Sequence, residues 1–167
     1  TECRISYPGY EMGGRLDCFG IYTRPLSDGE LQTIYSTTNA GIDYPFKPTT
    51  LRTDLMAWWK FDTDATWPDA VSKRSYFTEV NNPGLVPGKI NSAIDCTDLS
   101  KSLVSPTAIN TDLLLPADGL SNWTYSMWLS PKTGEPAGGA LIRICLAQEI
   151  QMYIGLLPRT TGNFLTF

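Results

Sequence analysis

The chain of 167 residues contains no histidine, and this absence removes several kinds of chemistry. Nucleophilic sites of the Ser-His-Asp and Cys-His types need an imidazole base, so both are excluded. Four cysteines are present: Cys3, Cys18, Cys96 and Cys145. They lack C-x-x-C spacing, so a metal or redox site built on sulfur is not expected. Their even number leaves disulfides open, and spacing does not determine the pairing.

The chain also lacks clustered positive charge and long apolar runs. Lysine and arginine number 13 against 17 acidic residues, the net charge is -4, and the one adjacent basic pair is Lys73-Arg74. Nucleic acid would be repelled by such a surface. No apolar run approaches the ~20 residues that span a bilayer, so no membrane insertion is expected. The first residues contain neither Met nor a secretory signal, and we expect a larger chain or assembly.

The residues that are present predict an all-β protein. Fourteen Gly and 12 Pro punctuate a chain that is 42% apolar and only 18% charged, which is typical of many short strands joined by turns. We expect strands at residues 15–22, 55–62, 93–95, 103–104, 123–130, 140–146, 150–157 and 163–167.

Two of these strands alternate clearly. In residues 55–62, Leu55, Ala57, Trp59 and Phe61 share one face. In residues 123–130, one face carries only large apolar side chains, namely Trp123, Tyr125, Met127 and Leu129. The opposite face of that strand carries small hydroxyls around Trp128. Packing between two sheets would explain this pattern.

The start of the chain predicts a hairpin and a short helix. Residues 3–7 are a candidate partner of strand 15–22, in which case Cys3 would face Cys18 across the pair as a candidate disulfide, the alternative being two separate thiols. Ser27 and Glu30 form a capping-box pattern that opens a helix near residues 27–35. The expected apolar face of this helix consists of Leu31, Ile34 and Tyr35.

Two parts of the sequence resemble the laminin-G-like, concanavalin A-like lectin and glucanase superfamily. Residues 14–31, with Tyr-x-Arg-x-Leu-Ser at 22–27, resemble the last strand of that fold and its capped helical turn. Residues 55–62, 87–98 and 123–131 resemble the opening strands. The resemblance implies an antiparallel jelly-roll sandwich. Cys18 and Cys96 depart from the family pattern, because an acidic residue and a glycine are common there.

The closing pattern precedes the opening one, so we expect an incomplete or permuted jelly roll. The predicted parts are a C-terminal portion at residues 1–36, a linker at 37–54 and an N-terminal portion at 55–167. The two portions belong either to consecutive repeats, which we favour because the family's middle strands are missing, or to one circularly permuted domain.

The resemblance also implies candidate sites and a function. Calcium is a candidate cofactor, with Asp17, Asp95 and Asp98 as candidate ligands and Asp62 and Asp64 as weaker ones; the alternative, which we favour, is that these aspartates only cap turns. Trp58, Trp67 and Trp128 are candidate platforms for a glycan, although for Trp128 we favour a structural role beneath a loop. The Glu-x-Asp-x-x-Glu stretch that glucanases of this fold use is missing, so no enzyme is expected.

We therefore predict a non-enzymatic binding or adhesion module at an extracellular, cell-surface or virion location, whose partner is a glycan or a protein. The alternative is a structural contact domain of a phage capsid, fibre or tail, or of a repeat-built surface protein, that binds neighbouring copies of itself. A glycoside hydrolase is the third possibility and needs the carboxylate pair that is missing. Exposed aromatic rings would favour the first function, whereas rings buried against neighbouring chains would favour the second.

Overall fold

A computed structural model describes residues 2–5, 14–43, 50–63, 67–73, 77–98, 100–104, 122–131, 140–146, 149–159 and 162–166. Eleven strands and one α-helix lie in these ranges. The strands are β1 (Glu2–Ile5), β2 (Gly14–Tyr22), β3 (Leu55–Trp59), β4 (Thr78–Val80), β5 (Gly84–Pro87), β6 (Ser92–Asp95), β7 (Ser102–Val104), β8 (Thr124–Pro131), β9 (Ala140–Leu146), β10 (Glu149–Arg159) and β11 (Gly162–Thr166). The helix is α1 (Asp28–Asn39). No helix of the described residues is long and apolar enough to cross a membrane.

The strands form two antiparallel sheets, which confirms the all-β prediction. The first sheet has the order β11-β10-β9-β1-β7-β4, and the second has the order β3-β2-β6-β5 with β8 also paired to β2. Along β2, the first residues pair with β6 and the last with β3, while β8 pairs along the full length. β8 therefore occupies the opposite edge of β2.

The main core lies between the sheets. Ile5 and Leu103 come from the first sheet, and Phe19, Trp59 and Ile94 come from the second; each of these is buried. Four alternate side chains of residues 123–129 also pack against this core: Trp123, Tyr125, Met127 and Leu129. The alternation read from this strand is thus confirmed. We call this side of the second sheet its inner face.

A bulge in β2 turns two consecutive side chains to the outer face. Cys18 has a φ of 54°, and the register against β8 shifts between Asp17 and Gly20. Leu16 and Phe19, three residues apart, therefore both enter the inner core, while Cys18 joins a second cluster. The extra residue at a β-bulge interrupts the alternation of side chains between the two faces of the sheet.

The second cluster lies on the outer face beneath α1. It joins Cys18, Tyr22 and Trp58 from the sheet to Ile34 from the helix. Leu55 also belongs here, although its alternation predicted the inner face, because the register of β2 and β3 shifts between Ile21 and Tyr22. Strand β3 ends at Trp59, three residues before the predicted end.

The helix begins as predicted and extends further. The side chain of Ser27 accepts from the amide of Glu30, and the Glu30 side chain reaches back to the amide of Ser27, which confirms the capping box. The helix continues to Asn39, into the predicted linker. Of the predicted apolar face, Ile34 is buried, whereas Leu31 and Tyr35 are 41% and 53% exposed. Thr38, a turn beyond Ile34, is the other buried position.

The predicted hairpin is wrong. β1 pairs with β7 and β9 in the first sheet, whereas β2 lies in the second, so a Cys3–Cys18 disulfide does not form. The thiols of Cys18 and Cys96 are free and buried. Strands that follow one another in sequence often pair, but the core between the sheets separates β1 from β2. β4 and β5 escape prediction from the sequence, because they are only three and four residues long and are separated by Asn81, Asn82 and Pro83.

Candidate functional site

Of the three tryptophans predicted to bind a ligand, two are inaccessible. Trp58 has no exposed surface, and its backbone amide donates to Asp69 Oδ1 at 2.6 Å. Trp67 is 2% exposed, and its indole donates to Glu79 Oε1 at 2.9 Å. Neither ring can stack on a ligand in this conformation, which corrects the prediction at these positions. Both rings are buried within their own chain, because Trp58 lies in the cluster beneath α1 and Trp67 lies in the core between the sheets.

Trp128 is different, because it is half-buried beside a cavity. Its indole donates to the hydroxyl of Thr38 at 2.8 Å, and that hydroxyl donates to the carbonyl of Ile34 at 2.7 Å. The ring of Tyr35 lies tilted against the indole of Trp128, and the two ring centroids are 5.5 Å apart. The ammonium of Lys89 lies 5.1 Å from the centroid of the indole, within reach of a cation–π interaction. The ring is thus held in place from the helix side.

The cavity has a volume of about 260 Å³ and opens on the outer face of the second sheet. This is slightly below the ~300–1,000 Å³ typical of clefts for drug-sized ligands. Strands β2 and β8 and the turn between β5 and β6 supply most of its wall. The lining residues that carry polar groups or close backbone contacts are Arg15, Asp17, Gly88, Lys89, Trp128 and Ser130. The register places Trp128 opposite Asp17, and Ser130 opposite Arg15.

Asp17 holds the turn that forms one wall of the cavity. It is 2% exposed, and its Oδ2 accepts from the amides of Lys89 and Ile90 at 2.8 and 2.9 Å. Its Oδ1 accepts from Cys18 Sγ at 3.0 Å. Burial raises the pKa of Asp17, while the bonds from Cys18, Ile90 and Lys89 act in the opposite direction. The carboxylate therefore serves to fix the β5–β6 turn.

Gly88 is required by the same arrangement. A Cβ built there would lie 2.5 Å from the carbonyl carbon of Ser92 and 2.7 Å from Asp17 Oδ2. Only glycine lets the turn approach the carboxylate this closely. Asp17 and Gly88 are separated by 71 positions in the sequence, so their contact depends on the pairing of strands.

The three aspartates predicted to bind calcium accept hydrogen bonds from three separate parts of the backbone. Asp95 Oδ1 accepts from the amide of Thr97 at 3.1 Å, and Asp98 Oδ1 accepts from the amide of Ser100 at 3.0 Å. Both are turn contacts of the kind that Asp favours. Across the described part of the chain, no group of three His, Cys, Asp or Glu side chains is placed to hold a metal ion. Asp62 Oδ1 accepts from Ser92 at 3.2 Å, and Asp64 lies outside the described residues. Calcium binding stays a prediction.

Arg15, Lys89 and Ser130 were missed by reasoning from the sequence. Each lies on a different element, and only the register of β2, β6 and β8 brings them to one cavity. A weak signal existed, because Pro87-Gly88-Lys89 is a turn sequence that would present Lys89 outward.

No family model, no curated protein and no solved structure matches this chain.

Proposed function

We propose that this chain is a non-catalytic binding module of an extracellular or virion surface, and that it binds a glycan at the Trp128 cavity. The observation that carries the proposal is the placement of a half-buried tryptophan, held by Thr38, at the wall of a cavity that also carries charged and hydroxyl groups. An aromatic ring beside a few oriented polar groups suits a sugar, which has both apolar ring faces and hydroxyls.

The proposal includes a laminin-G-like jelly roll as the scaffold. It is supported by the two sheets packed around one core and by the helix after β2. We also propose that both predicted portions form one domain, permuted relative to the family order. Support for this comes from β2, which pairs with β3, β6 and β8. The sequence favoured consecutive repeats instead. We propose one domain because α1, which follows β2, packs on the sheet that contains both β2 and β3.

A glycan array tests the binding function. Ser130→Tyr would fill the cavity from an exposed position of β8 without removing a core contact. Thr78→Tyr adds the same bulk to an exposed position of β4 in the other sheet, and it serves as the matched control. We expect the unaltered chain and Thr78→Tyr to bind the same glycans, and Ser130→Tyr to lose them. Binding that survives Ser130→Tyr would place the glycan site elsewhere, and an array without any signal would contradict the glycan function.

A structural role between subunits is the second candidate, and the exposed face of α1 favours it. Leu31 and Tyr35 lie one turn apart and are 41% and 53% exposed, and Ile42 beyond the helix is 47% exposed. Exposed apolar groups of this kind mark contact surfaces when they form one patch. Size-exclusion chromatography with light scattering decides between the candidates. A stable monomer supports a single-domain binding module, whereas an oligomer that Tyr35→Glu dissociates supports the structural role.

A further inference from the structure

Two exposed cations, Arg15 and Lys89, line the Trp128 cavity in a chain of net charge -4. Ion pairs of the described residues include those of Arg24 and Lys60, and none of them involves Arg15 or Lys89. Within the part of the chain that the structure describes, neither cation is therefore held by a carboxylate.

Two carboxylates of the strands around the cavity, those of Asp17 and Asp95, accept hydrogen bonds from other donors. Asp17 accepts from two backbone amides and one thiol. Asp95 lies opposite Arg15 in the register of β2 and β6, yet its Oδ1 accepts from Thr97 and it forms no ion pair with Arg15 within 4.0 Å. Neither carboxylate therefore forms an ion pair with the two exposed cations that line the cavity.

The donors of the cavity come from three elements. Arg15 lies on β2, its cross-strand partner Ser130 lies on β8, and Lys89 lies on the turn between β5 and β6. A guanidinium fork, a hydroxyl and an ammonium thus surround one space. A carboxylate offers two oxygens and one charge, whereas a phosphomonoester offers three oxygens and roughly -1.5 to -2 charges near neutral pH. Two cations and a hydroxyl match the second group better.

From this arrangement we propose that the cavity binds a phosphorylated sugar, with its phosphate between Arg15, Lys89 and Ser130 and its ring beside Trp128. The inference rests on the proposed glycan-binding function and specifies its ligand class. Lys89 now lies over the indole. Because it is exposed, it can leave the ring and carry its ammonium to the phosphate while the sugar takes its place.

Isothermal titration near neutral pH and at constant ionic strength compares glucose, glucose 6-phosphate and glucose 6-sulfate as probes. We expect the phosphate ester to bind at least about tenfold more tightly than glucose, because charge-assisted hydrogen bonds are stronger than neutral ones. Arg15→Gln and Lys89→Gln should each weaken its binding about tenfold and lower the ratio of its affinity to that of glucose. Arg52→Gln removes an exposed cation far from the cavity in sequence and should change neither affinity. Raising the salt concentration should weaken the binding of the phosphate ester and of the sulfate ester, and it should leave the binding of glucose unchanged.

Three results would overturn the inference. Equal affinity for glucose and glucose 6-phosphate, lost in Ser130→Tyr, would leave the glycan-binding function in place and remove the phosphate. Equal affinity for the sulfate and phosphate esters would show that charge alone is recognised. Absence of binding by all three sugars would contradict the inference, and the glycan array would then decide the proposed function separately. Circular dichroism of each variant confirms that the exposed substitutions leave the fold intact.

Discussion

The indole nitrogen of Trp128 donates to the hydroxyl of Thr38 at 2.8 Å and thereby joins β8 to α1 across 90 positions of the sequence. Thr38 is 1% exposed, and its own hydroxyl donates a hydrogen bond to the carbonyl of Ile34. The helix therefore fixes the orientation of the ring at the cavity wall. A second contact supports the same junction, since Thr124 donates to the carbonyl of Arg24 and accepts from the amide of Leu26.

Thr38→Val tests this junction, because it keeps the side-chain shape and removes the hydroxyl. We expect the free energy of unfolding to fall by ~1–2 kcal/mol, since the indole N–H loses its acceptor. Urea denaturation measures the change. The same substitution at the neighbouring, half-buried Thr37 should cost less than ~0.5 kcal/mol. Equal losses at both positions would show that the bond to Trp128 is not what Thr38 contributes.

Gly20→Ala tests the packing of the outer face. A Cβ there would lie 2.5 Å from Cε3 of Trp58, which has no exposed surface. We expect a loss of ~1–3 kcal/mol in the free energy of unfolding from overpacking. Gly29→Ala is the control, because nothing lies within 4 Å of its added Cβ and it sits in the first turn of α1. That variant should be neutral or more stable, and a similar loss in both would contradict the steric explanation.

Gly88→Ala tests whether the β5–β6 turn shapes the cavity. Its Cβ would lie 2.7 Å from Asp17 Oδ2, so the turn and Lys89 must shift outward. We expect weaker glycan binding together with a loss of stability, measured by titration and by thermal unfolding. Gly84→Ala, at the start of β5, meets nothing within 4 Å and should preserve binding. Undiminished binding in Gly88→Ala would mean that the turn does not define the site.

Glu30→Gln tests the ion pair that caps α1. Hydrogen bonds from Arg24, followed by those from Ser27, lower the pKa of Glu30 from 4.5 to about 2. Because the folded state lowers this pKa, the stability that ionised Glu30 supplies is present above pH 4.5 and is lost as the pH falls toward 2. The difference in unfolding free energy between the unaltered chain and Glu30→Gln should therefore shrink over that range. In an Arg24→Gln background the difference should vary much less with pH, and an unchanged pH dependence would exclude Arg24 as the cause.

The buried thiols should resist alkylation in the folded chain. Burial, with a smaller effect of Asp95, raises the pKa of Cys96 to about 12. Burial and the hydrogen bond to Asp17 also raise the pKa of Cys18. Since the thiolate is the reactive form, iodoacetamide near neutral pH should label both residues slowly in the native state and rapidly in urea. Peptide mass spectrometry follows each cysteine separately, and fast native labelling of either would contradict its burial.

Reasoning from the sequence located most strands within one or two residues, and it failed where elements are short or where distant segments meet. The predicted bounds of residues 140–146 agree with β9, while β4 and β5 were missed. Of the candidate ligand platforms, Trp128 alone is not buried. Burial of Trp58 depends on the packing of α1 against the second sheet, and burial of Trp67 depends on the core between the sheets, and no local pattern reveals either contact.

The sequence by itself determined the features that arise from neighbouring residues. Alternation with a period of two separated the two faces of β8, and Ser27 with Glu30 set the start of α1, because both depend on contacts within a few positions. Only the tertiary structure decided that β1 and β2 lie in different sheets and that Asp17, Lys89 and Trp128 meet. These relationships depend on which strands pair and in what register. The stable pairing is the one that buries whole apolar faces, and it therefore depends on the complete chain.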